Sequence, residues 1–205
     1  MYNRRMKTFE EKKFNIPKLK GISEKTIEEH LKLYSGYVKH ANLIQTMISQ
    51  YGEVDAEDGK YSVSEITRRF AFEFNGMRNH ELYFSHFEGG PKPVNPNGAL
   101  SLAGHEEWPS YDAWLKRFKT MALTRGVGWA MCGYDPVSKR LINYWVDEQH
   151  LGQLNSVIPI LALDMWEHSF VADYQPSGKK QYVEDFFENL NWERVEENFV
   201  RASKA

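Results

Sequence analysis

An aspartate and a histidine, Asp164 and His168, lie four residues apart directly after the apolar run of residues 157–163. A carboxylate and an imidazole are both ligands for first-row metal ions. If the apolar run is a buried strand or the end of a helix, it carries both side chains out of the core as a rigid pair. The same spacing is also common in surface contacts and in buried pairs that bind no metal. The pair is therefore a candidate metal site that needs further ligands.

The other ligands must come from His, Asp or Glu, because the only cysteine is Cys132 and a thiolate cage is excluded. Among the seven histidines, His30 and His80 each lie in a long segment with helical periodicity. If these helices pair and the later chain packs beside them, one imidazole from each can meet Asp164 and His168. Three neutral imidazoles and one carboxylate suit a first-row metal ion and leave room for a solvent ligand. An ordinary structural role for His30 and His80 stays open at this point.

The helices that must position His30 and His80 are predicted from the spacing of apolar residues and from the Gly- and Pro-rich segments that interrupt it. Apolar residues recur at every third or fourth position over residues 26–50 and 62–87, which predicts two long helices. Gly36 is expected to interrupt the first helix, and the acidic segment 52–59 is expected to form the turn. The Gly- and Pro-rich segment 88–98 is the strongest break in the chain. We expect an N-terminal domain of residues 1–90, with an arm and a helical hairpin, and a C-terminal domain of residues 91–205.

The second half changes pattern. Residues 109–123 predict a helix, and strand-like segments follow at residues 128–134 and 140–146, joined by a turn. Two amphipathic helices, about residues 182–190 and 192–202, end the chain. The predicted fold class is α+β: an N-terminal antiparallel helical hairpin, then a domain with a small antiparallel sheet of about three strands and flanking helices.

Composition narrows the class of protein. The chain of 205 residues has a formal net charge of -2, which gives no indication of a nucleic-acid partner. No apolar run reaches the length of a membrane-spanning helix. Residues 1–13 are charged and lack the apolar core of a signal peptide. We therefore expect a cytoplasmic protein with neither nucleic acid nor membrane as a partner.

These segments together resemble the iron/manganese superoxide dismutase family. Residues 164–168 look like the family signature, and four further segments match in the same order: 22–30, 74–80, 126–129 and 186–192. The resemblance implies that His30, His80, Asp164 and His168 are the metal ligands. It also implies one manganese or iron ion per subunit, which cycles between oxidation states three and two while superoxide is converted to oxygen and hydrogen peroxide.

Aromatic residues around the metal are also implied by the resemblance. Trp129, Trp166 and Phe84 are candidates for an aromatic wall that admits only a small anion, although ordinary core packing explains such residues equally well. In the family, a gateway tyrosine follows the first ligand by eight residues. Here Tyr37 follows it by seven, so we expect an unbulged helix with Tyr37 in the gateway role and Tyr34 as the alternative.

Polar residues beyond the ligands are less well determined. Gln149 and His150, at the end of the second predicted strand, are alternatives for the group that bonds the metal-bound solvent, and the spacing back from Asp164 slightly favours Gln149. Gly76 occupies the position where one branch of the family has a glutamine. Because glycine there is more typical of manganese-using members, the resemblance slightly favours manganese over iron.

Dimerisation is implied through Glu167, which in the family bonds the ligand equivalent to His168 in the other subunit. A second family bridge across the dimer is absent here, because Tyr34 replaces its histidine and Val171 replaces its tyrosine. A homodimer through Glu167 and His168 remains the expectation.

Two other functions stay open at this stage. A non-haem metal oxygenase or peroxidase-like enzyme could use His80, Asp164 and His168 as a facial set of ligands. The lost bridge also leaves room for a degenerate metal-binding dimer without catalytic activity. A superoxide dismutase is the leading hypothesis.

Overall fold

A computed structural model of the chain describes residues 7–51 and 57–205. Two long helices open the fold, α1 (Glu24–Tyr51) and α2 (Glu57–Ser85). They are antiparallel neighbours, since His30 near the start of α1 lies beside His80 near the end of α2, with ring centroids 4.9 Å apart. The turn expected over residues 52–59 lies outside the described residues except at its end, where residues 57–59 are already helical.

Helix α1 begins where the sequence provides a cap. The hydroxyl of Ser23 accepts a hydrogen bond from the backbone N–H of Thr26 at 3.1 Å, which satisfies one of the free donors of the first turn. The helix then continues to Tyr51 without a break. The expectation that Gly36 interrupts it was wrong, because a single glycine costs only about 1 kcal/mol and packing against α2 outweighs that cost. No bulge therefore changes the direction of Tyr37 relative to His30.

The second half contains two helices and a three-stranded antiparallel sheet. Their bounds are α3 (Ala99–Glu107), α4 (Tyr111–Ala122), β1 (Gly128–Asp135), β2 (Arg140–Asp147) and β3 (Ile158–Asp164). The strand order is β2-β1-β3, so the apolar run after residue 156 is an outer strand beside β1. Helix α3 was not predicted from the sequence. The α+β fold class with its small sheet is confirmed.

After β3 the chain makes two short 3₁₀ turns, Glu167–Ser169 and Pro176–Gly178. It also forms three helices, α5 (Val171–Tyr174), α6 (Lys179–Asn189) and α7 (Trp192–Ala202). Asn191 caps α7 by accepting from the N–H of Glu193 at 3.1 Å, and its side-chain amide donates to the carbonyl of Glu88 at 2.7 Å. The start of the Gly- and Pro-rich segment is thus attached to the C-terminal helices. The division of the chain at residue 90 stays a prediction.

The N-terminal arm packs along the hairpin. The side-chain amide of Asn42 on α1 makes two hydrogen bonds with the backbone of Phe9. Its oxygen accepts from the N–H at 2.8 Å, and its nitrogen donates to the carbonyl at 2.9 Å. Further along, the ring of Phe14 packs against Tyr34 and Phe84, with centroids 5.8 and 5.5 Å apart. These contacts attach the arm to both long helices.

Within residues 7–51 and 57–205, no helix combines the length and the apolar character needed to cross a membrane.

Candidate metal centre

Asp164 and His168 are joined by a tight turn rather than by a helix. Asp164 is the last residue of β3 and pairs with Trp129 of β1, so it leaves the sheet at its edge. Hydrogen bonds within the turn hold its shape. The N–H of Trp166 donates to the Asp164 carboxylate at 2.8 Å, and the Ser169 hydroxyl lies 2.6 Å from the carbonyl oxygen of Trp166 and 3.0 Å from that of Asp164. The strand end and the turn therefore present the carboxylate and the imidazole to the same point.

At that point the fold brings together the four side chains singled out in the sequence. The potential ligand atoms of His30, His80, Asp164 and His168 all lie within 4.8 Å of one another. One carboxylate oxygen of Asp164 is 3.2 Å from the Nε2 atoms of both His30 and His168, and 3.6 Å from Nε2 of His80. Ligand atoms about 2.1 Å from a shared ion are separated by roughly 3–4 Å, so these distances suit a single ion.

The orientation of His80 supports this interpretation. Its Nδ1–H donates to the carbonyl of Gly76 at 2.6 Å, which fixes the ring and leaves Nε2 as the free nitrogen. Nε2 is buried and has no hydrogen-bond partner. Leaving a buried polar atom unpaired costs about 1–3 kcal/mol, and a metal ion at this nitrogen would remove that cost. The residues present therefore fit a bound first-row metal ion.

The protonation states also suit a metal. Burial lowers the pKa of His80 to about 3 and lowers the pKa of His30 as well, although Asp164 opposes the shift at His30. Burial alone would raise the pKa of Asp164, but the neighbouring His168 and His30 outweigh it and hold that pKa below its usual range. At neutral pH the site then offers the neutral imidazoles of His30 and His80 and the ionised carboxylate of Asp164, the forms that bind metals.

Buried histidines give a testable acid sensitivity in the metal-free protein. His86 lies on α2, accepts a hydrogen bond at Nε2 from the N–H of Ala162 at 3.2 Å, and has a pKa lowered by burial to about 3. As the pH falls from 6.5 towards 3, His86 binds a proton in the unfolded state but stays neutral in the folded state. Between pH 6.5 and about 3, each such histidine therefore lowers the free energy of unfolding by up to roughly 1.4 kcal/mol for every unit by which the pH falls. Above pH 6.5 it has no effect on the pH dependence of stability.

Replacing His86 by glutamine is expected to flatten this dependence, because an amide oxygen can accept the same bond without titrating. Urea unfolding of the metal-free protein at about pH 7, 5 and 4 measures the slope. The exposed His40, changed to glutamine, is the matched control and should leave the slope as it is. An equal slope in the His86 variant and the parent would contradict the assignment.

A buried hydrogen-bond chain lies beside the cluster. The indole N–H of Trp129 donates to the side-chain oxygen of Gln149 at 2.9 Å, and the amide N–H of Gln149 donates to the hydroxyl of Tyr37 at 2.9 Å. Gln149 is fully buried, and its backbone carbonyl accepts from the Asn79 amide at 3.1 Å. The bonds to Trp129 and Tyr37 fix the oxygen and the nitrogen of the Gln149 side-chain amide. Because Trp129 belongs to β1, the position of the Tyr37 hydroxyl is linked to the sheet through Gln149.

Tyr37 reaches the cluster because Gly76 has no side chain. The ring of Tyr37 lies 5.0 Å from the ring of His80. A Cβ atom added at Gly76 would lie 2.5 Å from the Tyr37 ring, which is closer than such contacts allow. Burial, and next the charge of Asp164, raise the pKa of Tyr37 above its ordinary value, so its hydroxyl stays protonated at neutral pH. The hydroxyl oxygen accepts from Gln149, and its own hydrogen remains available for another acceptor.

The two alternatives named from the sequence have different surroundings. Tyr34 is fully buried, and its hydroxyl accepts from the backbone N–H of Lys12 at 2.8 Å and donates to Glu81 at 3.3 Å. Its hydroxyl is thus directed to the N-terminal arm and takes no part in the Gln149 chain. His150 is half-buried, and its ring packs against Phe72 at 5.8 Å.

Each of the three aromatic candidates for the wall lies against a different imidazole. Ring centroids of Phe84 and His30 are 4.9 Å apart, and those of Trp129 and His80 are 5.1 Å apart. Trp166 stacks on His168 at 5.8 Å. The imidazoles are therefore enclosed by aromatic rings, except that the side chain of His168 is 22% exposed.

Two tyrosines that the sequence analysis did not select also support the site. The hydroxyl of Tyr182 donates to the carbonyl of Asp164 at 2.9 Å and lies 3.1 Å from the hydroxyl of Tyr83. Tyr83 follows His80 by three residues on α2, which places both on one face of the helix and could have indicated its role. Glu167, in contrast, is exposed, and no ion pair or hydrogen bond of its side chain occurs among the described residues.

The chain is similar to known proteins of one family over most of its length. A family model described as "iron/manganese superoxide dismutases, C-terminal domain" matches residues 96–198. A protein of Aquifex aeolicus named superoxide dismutase (Fe) is 33% identical over 191 residues, which cover 91% of this chain and 88% of that protein. The superoxide dismutase (Fe) of Cupriavidus metallidurans is 34% identical over 188 residues, covering 90% and 92%. The superoxide dismutase (Mn) of Mycolicibacterium paratuberculosis is 30% identical over 177 residues, covering 85% and 82%.

Proposed function

The chain belongs to the iron/manganese superoxide dismutase family, and we propose that His30, His80, Asp164 and His168 hold its metal ion. The protein is a superoxide dismutase, an oxidoreductase that converts superoxide to oxygen and hydrogen peroxide with iron or manganese. The observation that best supports the ligand set is the clustering of four donor groups around the buried, unpaired Nε2 of His80. The oxygenase and non-catalytic alternatives have no support in the comparisons.

The residues of the chain divide the chemistry between them. When bound by these residues, the ion would supply the exchange of electrons between two superoxide molecules. Formation of hydrogen peroxide also consumes two protons, which the protein must deliver into a site lined by aromatic rings. We propose that Gln149 bonds the metal-bound solvent and that Tyr37 donates towards the site mouth. Support comes from the Trp129–Gln149–Tyr37 chain of hydrogen bonds, both 2.9 Å long, and the full burial of Gln149.

A direct test of the function uses metal-free protein loaded separately with manganese and with iron. Metal content per subunit and superoxide consumption are measured on the same samples. We expect activity in at least one metal form, in proportion to the metal bound. A protein fully loaded with both metals in turn and inactive in each would refute the proposed function.

The same samples test the proposed preference for manganese. It is supported by Gly76, which carries no amide on α2, so that Gln149 after β2 is the proposed amide, an arrangement that the family resemblance associates with manganese. We expect a moderately higher activity per bound ion with manganese than with iron. Higher activity with iron would reverse the preference without affecting the function.

Two tyrosine-to-phenylalanine variants separate the gateway role from a structural one. Tyr37→Phe removes the acceptor for Gln149 and the proposed donor at the mouth, so superoxide consumption is expected to fall by about tenfold. Tyr34→Phe removes the bonds to Lys12 and Glu81, so it should lower the free energy of unfolding by about 1–3 kcal/mol with little loss of activity. Steady-state assays and urea unfolding of both variants give the comparison. If Tyr34→Phe loses more activity per bound metal than Tyr37→Phe, the gateway assignment is wrong.

We further propose a homodimer in which Glu167 of one subunit accepts a hydrogen bond from His168 of the other. The exposed carboxylate of Glu167 and the partly exposed ring of His168 support this arrangement. Glu167→Ala is expected to weaken the dimer by tenfold or more, because a bond to a ligand imidazole is charge-assisted and partly desolvated (about 1.4 kcal/mol or more). Analytical ultracentrifugation over a dilution series measures the change. Glu106→Ala, at an exposed glutamate of α3, is the control, and equal dimer constants for the two variants would contradict the bridge.

The remaining proposals concern substrate and location. Superoxide is the substrate, a small anion whose approach to the ligands suits a site walled by aromatic rings. We also propose a cytoplasmic location, which is supported by the free, buried thiol of Cys132. Fractionation of cells that produce the protein would test it.

A further inference from the structure

A separate cavity of about 140 Å³ lies in the C-terminal half, away from the four proposed ligands. It is partly open and is bounded by residues 94–96, α3, α4, the start of α7 and the sheet. Cys132 of β1 lines it, whereas Trp129 of the same strand contacts His80. Successive side chains of a strand point to opposite faces, so the cavity and the metal centre lie on opposite sides of β1. None of the residues that line the cavity belongs to the metal centre.

The cavity wall is apolar and aromatic. Trp108, Tyr111, Trp114 and Trp192 surround it and contact one another edge to face or tilted, with ring centroids 5.5 to 6.3 Å apart. The rest of the wall is mostly aliphatic, and it contains no Asp, Glu, Lys or Arg. Burial raises the pKa of the Cys132 thiol to about 12, so this group is neutral as well.

Two hydroxyls in the wall are already engaged in hydrogen bonds. The Ser101 hydroxyl donates to the Asn95 carbonyl at 2.6 Å, and the Ser110 hydroxyl accepts from the N–H of Ala113 as the cap of α4. His105 is exposed on α3. The wall thus offers no oppositely charged Asp, Glu, Lys or Arg to a charged ligand, which would lose its hydration at a cost of several kcal/mol. A neutral, mostly apolar molecule suits the interior best.

Size and shape indicate a single ring. Protein interiors rarely leave voids much larger than a water molecule, and an apolar cavity of about 150 Å³ is known to stay dry and to bind benzene. An aromatic ring bound here could make edge-to-face contacts with the surrounding indoles. Such contacts between aromatic rings are stabilising beyond the burial of apolar area, so an aromatic ligand is favoured over an aliphatic one. Gly104 of α3 lines the cavity, and a Cβ added there would meet no atom within 4 Å, so a larger side chain at this position has room to extend.

We propose that this cavity is a binding site for a small, neutral, single-ring aromatic molecule. The site is independent of the metal centre, so it is expected in the metal-loaded enzyme with superoxide consumption unchanged. Its ligand is defined by three properties: one ring, no charge, and enough apolar surface to fill the space between the indoles and the sheet.

Calorimetric titration of the metal-loaded enzyme with toluene, benzoate and cyclohexane tests the chemical class. Toluene is expected to bind saturably at one site per chain, with benzoate at least about tenfold weaker because its charge would be buried unpaired. Cyclohexane should also be weaker than toluene. Absence of saturable toluene binding would overturn the proposal, and tighter binding of benzoate or cyclohexane would overturn the ligand class.

A filling variant and a chemical probe locate the site. Gly104→Leu places a side chain at the cavity wall and should weaken toluene binding at least tenfold, whereas Leu102→Ala, at an exposed position of the same helix, should not. Cys132 is the only cysteine, so methyl methanethiosulfonate reports on this cavity alone even if the leucine variant does not fold. Saturating toluene should slow its reaction with the native enzyme at least tenfold. An unchanged reaction rate, or unchanged affinity in folded Gly104→Leu, would place toluene elsewhere and overturn the proposal.

Discussion

Replacing His80 by alanine is expected to empty the metal centre and to reduce superoxide consumption to the background of the assay. The variant loses the Nε2 atom that faces the other three groups and the Nδ1–H that anchors the ring to Gly76 at 2.6 Å. Loss of residues that only orient a ligand lowers metal affinity by about 10–100-fold, so loss of the ligand itself should exceed that range.

Metal content per subunit, measured with activity on the same preparation, checks this expectation. Thermal unfolding with and without added metal gives a second readout, because an ion that binds only the folded state raises the melting temperature. The parent should respond to metal and the His80 variant should not. His40→Ala, at an exposed histidine of α1, controls for the loss of an imidazole and should behave as the parent. Full metal content with normal activity in the His80 variant would exclude His80 from the ligand set.

Replacing Gln149 by leucine is expected to lower activity by about 10–100-fold while the metal stays bound. Leucine has nearly the same volume but neither accepts from Trp129 nor donates to Tyr37, so both ends of the 2.9 Å chain are lost. The indole N–H of Trp129 would be left buried without a partner, which costs about 1–3 kcal/mol of the free energy of unfolding. Activity per bound ion and urea unfolding measure the two effects separately.

His150→Leu is the matched comparison, because His150 is the neighbouring residue that the sequence left as the alternative. It is half-buried against Phe72 and lies outside the Trp129–Gln149–Tyr37 chain, so a small effect on activity per bound ion is expected. A larger loss in the His150 variant than in the Gln149 variant would transfer the proposed solvent contact to His150.

The sequence predicted the helical hairpin and the sheet because their apolar periods are long and regular. Helix α3 was missed, since its nine residues are few, include Gly104, and follow a strong break at residues 88–98. The apolar run after residue 156 could not be assigned to a strand or a helix end from its pattern. Its pairing with β1 decided the matter, and that contact is visible only in the folded chain.

Within the site, the resemblance to a family identified the four clustered side chains, whereas their environment depends on distant contacts. The direction of the Tyr34 hydroxyl is set by Lys12 in the arm and by Glu81 on α2, and neither is near Tyr34 in the sequence. The bond from Tyr182 to the carbonyl of Asp164 likewise joins α6 to the end of β3. Such pairings follow from tertiary packing, and no local pattern encodes them.

The four proposed ligands also impose an order on the assembly of the enzyme. His30 and His80 precede the Gly- and Pro-rich segment, whereas Asp164 and His168 lie in the last quarter of the chain. A ribosome has therefore synthesised most of the protein before the second pair of ligands exists. The complete set of four proposed ligands therefore exists only late in synthesis, and an ion held by all four connects two parts of the chain that were made far apart in time.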